Sequence, residues 1–342
     1  MEQNKVSFLD PKTGEPLSQQ EIDEMFMRRC LQLAKNGRQN AKPNPMVGAV
    51  IVSSEGRIIG EGYHVRCGEG HAEVNAFASV RQEDEPLLSQ STIYVSLEPC
   101  AHYGKTPPCA ELIVRKGVRR CVVGCIDPFA KVQGKGIAMM REAGIDVTVG
   151  VLEDECKQLN RRFFTAQTLH RPYITLKWAR SAEGFIDRWR DTPDTEPAAL
   201  STPCSLMRVH RLRALHQAIL VGHGTLAKDR PTLTVRHWTG SDPLRVVLGR
   251  VAEGELPGGF QAYADIRTML DALYRQGVQS LLVEGGQQTL QSFIDQGLWE
   301  EAYVELSDIE LGSGVPEPRM PVGTLLKAES ALGATVFHYT NC

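Results

Sequence analysis

The 342-residue sequence lacks the features of a membrane protein, a secreted protein or a nucleic-acid-binding protein. It contains no run of about 18 consecutive apolar residues, the length that a membrane-spanning helix needs. The first thirty residues carry too many charges for a signal peptide. A net charge of −3 and an aromatic content of 6% give no general attraction for nucleic acid. We therefore expect a soluble protein of the cytoplasm that binds neither membranes nor nucleic acid.

The sequence also lacks a disulfide framework. Its nine cysteines are odd in number and have no regular spacing, which is unlike the paired cysteines of small secreted domains. In a reducing compartment such cysteines are core residues or metal ligands. The short basic run at 115–120 is most simply a solvated helix end.

The chain is longer than the roughly 250 to 300 residues over which one hydrophobic core extends, so two domains are expected. We predict boundaries at 20–168 and 169–342, with Pro172 close to the start of the second domain. Ser18 and Glu21 form a capping box that opens the first helix. A hairpin and then alternating helices and strands follow it, a rhythm typical of an α/β fold with parallel strands. The second half reads as another α/β domain.

A His-x-Glu triplet, "HAE", precedes two cysteines that each follow proline, in "EPCAHYGKTPPC". His71, Cys100 and Cys109 supply three ligands, the number that a catalytic zinc ion takes while it keeps one position for water. In the first turn of the helix that begins at His71, Glu73 can lie over that water. The alternative is a closed structural site in which Cys67 is a fourth ligand, and replacement of Cys67 by serine would distinguish the two.

These motifs are similar to those of the zinc-dependent nucleobase and nucleoside deaminases, and the resemblance implies that Glu73 moves protons during the reaction. Most members separate the cysteines by two residues, whereas here eight residues lie between Cys100 and Cys109. Together with "PNPMVGAVIV" and "GYH", that spacing resembles the deaminase half of the bifunctional riboflavin-biosynthesis deaminase/reductase family. In the second half, "LKWARSAEG", "RVHRLRALHQAILVGHGTLAKDRPTLTVR" and "VEGG" resemble the reductase half of the same family.

The resemblance implies a cytidine-deaminase-like α/β/α domain followed by a dihydrofolate-reductase-like α/β domain. It implies zinc and NADPH as cofactors. A phosphorylated pyrimidine would be hydrolytically deaminated in the first domain, and its ribosyl group would then be reduced to ribityl in the second. The partners would be this small-molecule substrate and further copies of the chain in a homo-oligomer.

The resemblance also implies the residues of each pocket, by position in this sequence. The deaminase substrate would contact Asn44, His64, His102, Lys105 and Asp127. The reductase substrate would contact Lys177, Arg213, Leu233, Arg236 and Glu284. The dinucleotide would contact Ala179, Thr225, Asp229, Gly286, Gln287 and Gln288.

Three positions depart from the family pattern. Phe129 stands where many members have asparagine, Ala199 stands where many have tryptophan, and Glu183 replaces the usual aspartate. Phe129 removes one expected substrate contact from the first domain. Ala199 removes a large flat contact for the cofactor, which leaves a second domain with weak or no NADPH activity as an alternative. Two rival functions are a deaminase that acts on nucleic acid, which the charge and aromatic content disfavour, and a zinc-stabilised scaffold without catalysis.

Overall fold

A computed structural model describes residues 8–103, 107–129, 132–190, 195–252, 254–321, 325–331 and 334–341. The chain divides into two compact units, Met1–Thr168 and Leu169–Cys342. No helix in these described ranges is long and apolar enough to cross a membrane.

Among its described residues, the first unit contains six α-helices and a five-stranded sheet. Its helices are α1 (Gln19–Ala34), α2 (Ala72–Ala78), α3 (Cys109–Lys116), α4 (Lys135–Glu142), α5 (Glu153–Leu159) and α6 (Arg161–Leu169). Its strands are β1 (Gly48–Val52), β2 (Ile58–Tyr63), β3 (Thr92–Val95), β4 (Arg120–Val123) and β5 (Asp146–Val149). Single-turn and longer 3-10 segments occupy Lys35–Gly37 and Gln82–Gln90.

The strands of the first unit lie in the order β2-β1-β3-β4-β5. β1 is antiparallel to β2 and β3, while β3, β4 and β5 run parallel. Alternate side chains of these strands face opposite sides of the sheet. Ile51, Ile93 and Val123 pack with α2, α3 and α4, whereas Val50 and Val122 pack with α1 and α5. The unit is therefore a three-layer α/β/α structure.

Local sequence explains how the first unit begins. The Ser18 side chain accepts a hydrogen bond from the Glu21 amide, and Glu21 accepts one from the Ser18 amide, which completes the predicted capping box. Helix α1 then packs on β1 at Gly48, where an added Cβ would lie 2.0 Å from the Cys30 carbonyl oxygen. Only glycine allows that approach of helix to strand.

In the part of the second unit that the structure describes there are four α-helices, a large sheet and a two-stranded ribbon. Its helices are α7 (Pro203–Leu215), α8 (His223–Asp229), α9 (Ile266–Arg275) and α10 (Gln287–Asp295). Its strands are β6 (Tyr173–Arg180), β7 (Phe185–Asp187), β8 (Ala218–Gly222), β9 (Leu244–Leu248), β10 (Phe260–Tyr263), β11 (Ser280–Val283), β12 (Glu301–Leu306), β13 (Val315–Pro316), β14 (Leu325–Ala331) and β15 (Ala334–Thr340).

The large sheet has the order β10-β9-β8-β11-β6-β12-β15-β14. The first six strands in this order are parallel, and β15 and β14 extend the sheet as antiparallel strands. One face packs on α9 and α10 around Met269 and Phe293, and the other packs around Leu226 and Leu233. Both faces of the parallel strands are thus buried, as expected for an α/β fold. The carboxyl ends of β6, β8 and β11 then lie at one edge, where ligands of such sheets bind.

Candidate active sites

The three potential metal ligands of the first unit come together. Nδ1 of His71 lies 3.7 Å from Sγ of Cys100 and 3.4 Å from Sγ of Cys109. A ligand atom from each of the three residues lies within 4.8 Å of the others. Tetrahedral zinc, with bonds of about 2.3 Å to sulfur and about 2.1 Å to nitrogen, would hold these atom types about 3.6 Å apart. The donor set and its spacing therefore fit zinc.

Helix starts position two of these ligands. His71 is the N-cap of α2, and Cys109 is the first residue of α3, where Pro108 is the N-cap. The Cys109 amide donates to Sγ of Cys100 at 3.3 Å. Hydrogen bonds from Cys109 and His71 lower the pKa of the Cys100 thiol. Helix N-termini and such amides favour thiolates, the form of cysteine that binds metal.

Glu73 lies beside the metal ligands in the first turn of α2. Only 3% of its surface is exposed. Burial raises the pKa of its carboxyl to about 7, and its side chain makes a hydrogen bond with Cys109. A carboxyl group that titrates near neutral pH can both accept and return a proton, which is what the predicted role requires.

Cys67 does not join the cluster. Its side chain is exposed, and it is not part of the one group of three or more potential metal ligands that the described residues form. The geometry favours the open three-ligand site over the closed alternative.

Asn44 and His64 form one hydrogen-bonded pair next to His71. Nδ1 of His64 lies 3.1 Å from the Gly70 carbonyl oxygen, so this nitrogen carries the proton. Nε2 of His64 then accepts a hydrogen bond from the Asn44 amide at 3.1 Å. His64 is 2% exposed and its ring stands edge-on to that of His71. His64 therefore fixes which way the Asn44 amide points.

Two of the remaining predicted residues of this pocket, His102 and Asp127, lie on loops. Asp127 accepts a hydrogen bond from the Phe129 amide at 2.8 Å, and burial raises the pKa of Asp127 to about 6. The rings of His102 and Phe129 pack edge to face with centroids 6.0 Å apart. Phe129 thus exchanges a polar amide for an aromatic contact with a predicted substrate residue. Lys105 lies outside the described residues.

In the second unit, two predicted substrate residues bind each other. Arg213 of α7 donates two hydrogen bonds to Glu284, at 3.1 and 2.7 Å, and a third to the Thr234 carbonyl at 3.1 Å. Arg236 lies nearby on an exposed loop, where its guanidinium donates to the hydroxyl groups of Thr232 and Thr234. The Arg213 guanidinium is committed to protein acceptors, and Arg236 is the more accessible of the two arginines.

Leu233 anchors the loop that carries Arg236. It is 2% exposed and packs in the core around Val221 and Leu226. Its φ of 54° lies in the left-handed region, which is uncommon for a branched side chain. Buried His210 accepts a hydrogen bond from the Arg236 amide at 2.9 Å. His210 was not predicted, because nothing in the sequence distinguishes it from a core histidine.

Four of the predicted dinucleotide residues, Thr225, Gly286, Gln287 and Gln288, lie just beyond the carboxyl ends of β8 and β11. Gly286 is the N-cap of α10, its amide donates to the Thr225 hydroxyl at 3.1 Å, and Gln287 and Gln288 form the first turn. A Cβ on Gly285 would lie 2.6 Å from the Gly222 amide nitrogen. The glycine pair therefore lets β11 and β8 end close together and presents a helix N-terminus that suits a phosphate.

Asp229 has a partner that the sequence did not reveal. Buried Arg190 donates to Asp229 at 2.6 Å and to Asp187 at 2.8 Å. Lys177 and Ala179 are residues of β6 and pair with Tyr303 and Glu305 of β12. Both β6 residues follow the alternation that puts them on the same face of the sheet.

Two family models match the chain. Residues 20–125 match the cytidine and deoxycytidylate deaminase zinc-binding region, and residues 172–329 match the RibD C-terminal domain. A zinc-binding deaminase domain followed by a reductase domain is the class that these matches and the metal cluster define.

Full-length relatives specify the family. The riboflavin biosynthesis protein RibD of Aquifex aeolicus (strain VF5) is 36% identical over 86% of this chain and 89% of its own length. That of Bacillus amyloliquefaciens is 34% identical over 85% and 86%. A Thermotoga maritima structure described as a diaminohydroxyphosphoribosylaminopyrimidine deaminase/5-amino-6-(5-phosphoribosylamino)uracil reductase has a TM-score of 0.84 and 32% identity, and covers 95% of this chain and 100% of its own. The chain belongs to the RibD family of riboflavin biosynthesis enzymes.

Membership of the RibD family confirms the predicted fold class and the prediction of a bifunctional deaminase and reductase enzyme. Zinc and NADPH, the cofactors expected from the sequence, are those of this family's two domains. The alternative of a degenerate second domain is not supported, because the reductase model matches residues 172–329 and the relatives match both halves. A scaffold without catalysis is disfavoured for the same reason.

Proposed function

We propose that residues 20–168 deaminate 2,5-diamino-6-(5-phosphoribosylamino)pyrimidin-4(3H)-one by hydrolysis. Residues 169–342 then reduce the ribosyl group of 5-amino-6-(5-phosphoribosylamino)uracil to ribityl with NADPH. The observation that carries this proposal is the cluster of His71, Cys100 and Cys109 with buried Glu73 beside it. The homo-oligomer and the cytoplasmic location stay predictions.

In the first domain, bound zinc would supply a Lewis acid and lower the pKa of a coordinated water. Glu73 would take one proton from the attacking water and pass it to the ring nitrogen. It would then take the proton of the newly added hydroxyl group and pass it to the amine, which leaves as ammonia while the carbonyl forms. Asn44, with its amide N–H bonded to His64, would present its carbonyl oxygen to a donor on the pyrimidine. His102, Lys105 and Asp127 complete the proposed pocket.

In the second domain, NADPH would supply a hydride to C1 of the sugar in its ring-opened form. The protein's part is to align the two molecules. Arg236 would bind the substrate phosphate, because its guanidinium is exposed and held by two threonine hydroxyls. Arg213 and Glu284 would shape the pocket as a pair, with Leu233 and Lys177 beside them. The dinucleotide would contact Ala179, Thr225, Asp229, Gly286, Gln287 and Gln288.

The decisive variant is Glu73→Gln, which keeps the shape of the side chain and removes its capacity to move protons. We expect bound zinc to be retained and ammonia release to fall by about 10³-fold, within the usual range for a general acid–base residue. The protein is incubated with the diaminopyrimidinone substrate, NADPH is added, and ammonia and NADPH oxidation are followed separately. Supplied with the uracil intermediate, the variant should oxidise NADPH at the normal rate. Unchanged ammonia release would refute the role of Glu73.

A further inference from the structure

Glu98 is a buried carboxylate that the proposed chemistry does not use. It follows β3, two residues before the metal ligand Cys100, and is 3% exposed. Four backbone amides donate to it. Oε2 accepts from Asp127 at 3.3 Å and Gly134 at 2.9 Å, and Oε1 accepts from Gly136 at 3.0 Å and Ile137 at 3.4 Å. Bonds to an ionised acceptor are about twice as strong as neutral ones.

The four donors belong to the segment that carries another pocket residue. Asp127 is a predicted substrate contact, and Gly134 is the N-cap of α4 with a left-handed φ of 79°. The first backbone amides of a helix have no acceptor within the helix, and a glycine N-cap has no side chain that could accept from them. Glu98 supplies that acceptor from a distant part of the sequence. Its charge also lies at the positive end of the α4 dipole.

A close backbone contact also joins the segment of Glu98 and Cys100 to helix α4. A Cβ on Gly136 would lie 2.1 Å from the Pro99 carbonyl oxygen. The peptide between Glu98 and Cys100 therefore rests directly on the first turn of α4. Any side chain at position 136 would push this peptide, and Cys100 with it, away from the helix.

We infer that Glu98 is a positioning residue that fixes Cys100 of the metal cluster and the Asp127 loop in one geometry. It acts through its four amide bonds and does not itself contact zinc or substrate. This inference rests on the proposed deaminase function only for its effect on turnover. Its effects on metal binding and on the four amides do not depend on the identity of the substrate.

The test compares Glu98→Gln with Glu142→Gln, the same change at an exposed position of α4. The glutamine amide would direct N–H groups at backbone donors. Loss of a residue that orients a metal ligand typically weakens metal binding about 10- to 100-fold. We expect that loss in zinc affinity, a shifted absorption spectrum of the Co²⁺-substituted protein, and faster hydrogen exchange at the four amides. Glu142→Gln should behave as wild type in all three measurements.

Comparing the deaminase and reductase rates of the same variant distinguishes a local change in the first domain from unfolding of the whole protein. In Glu98→Gln the kcat/KM of deamination should fall about 10- to 100-fold, while NADPH oxidation with the uracil intermediate stays within about twofold. Gly136→Ala displaces the Pro99 peptide from the other side, so it should also lower deamination while NADPH oxidation is kept. This variant tests the inference if Glu98→Gln does not fold. Wild-type zinc affinity and Co²⁺ spectrum in a folded variant would overturn the inference, as would an equal loss of both activities. Absence of deamination in the wild-type protein, with the metal effects intact, would instead overturn the proposed function.

Discussion

Breaking the ion pair between Arg213 and Glu284 from one side should strongly destabilise the second unit. The two side chains are 12% and 10% exposed, and two hydrogen bonds join them. Replacing Glu284 with glutamine keeps the volume but leaves a guanidinium charge buried without its counter-ion. Breaking a buried pair from one side costs about 3–5 kcal/mol, because the remaining charge has been removed from water without compensation.

For a unit of this size, each kcal/mol lowers the unfolding midpoint by about 2–4 °C. Glu284→Gln should therefore lower the midpoint by about 10 °C. Replacing both partners with apolar residues, as in R213M/E284L, should recover most of the loss, since neither charge then remains buried. Recovery should be incomplete because the Thr234 carbonyl loses its donor from Arg213.

The sequence supplies a specific probe for this measurement. All four tryptophans, Trp178, Trp189, Trp238 and Trp299, lie in the second unit. Tryptophan fluorescence of the whole protein on heating therefore follows that unit alone. Glu310→Gln, at an exposed position, is the matched control and should not move the midpoint. The reasoning would be refuted by a decrease in unfolding midpoint below about 2 °C for Glu284→Gln. It would also be refuted if the midpoint of the double variant fell by the sum of the decreases in the two single variants.

Two further predictions concern a cysteine and a histidine. Cys67→Ser should keep one zinc per chain by elemental analysis, because the exposed Cys67 thiol is outside the cluster; loss of zinc would revive the closed site. His210 should make the second unit less stable in acid. Burial, with the positive charges of Arg213, Arg236 and His237, lowers the pKa of His210 to about 4. The unfolded chain then takes up the proton first. The contribution of neutral His210 to stability is complete above about pH 6.5, and about 3 kcal/mol is lost progressively between about pH 6.5 and about pH 4. Fluorescence-detected urea unfolding of His210→Asn, which cannot titrate, should lack this loss; identical pH profiles would contradict it.

Features with a local chemical signature could be predicted from the sequence. The capping box of Ser18 and Glu21 involves residues three apart, and the hairpin of β1 and β2 follows from one short turn. The metal cluster could be predicted although His71 and Cys109 are 38 residues apart. Zinc chemistry restricts the ligands to few residue types, and each was marked by a neighbouring proline or glutamate. The requirements of zinc binding thus predict a contact between residues that are far apart in the sequence.

Contacts between ordinary charged residues could not be predicted. Arg213 and Glu284 were each placed at the substrate, but their mutual bond joins residues 71 apart. The Asp229 carboxylate, placed at the dinucleotide, is bound by Arg190 from a segment with no motif. Many arginines and acids in the chain could pair, and only the strand order β8-β11-β6 selects these pairs. The sequence pattern indicates the strands but not their order in the sheet.

The hydrogen-bond donors around Glu73, Glu98 and Glu284 distinguish a structural role from a chemical one. Glu98 and Glu284 each follow a parallel strand, the position at which functional groups of α/β sheets gather. In Glu98 both oxygens accept from backbone amides, and in Glu284 both accept from one guanidinium. Protein donors on both oxygens therefore hold each of these two carboxylates in place. Glu73 differs, because its described side-chain hydrogen bond is to the metal ligand Cys109 and burial brings its pKa to about 7. Glu98 and Glu284 thus hold backbone and side-chain partners in place. Glu73 is suited to move protons because it lies in the first turn of α2 beside the metal ligands and its pKa is about 7.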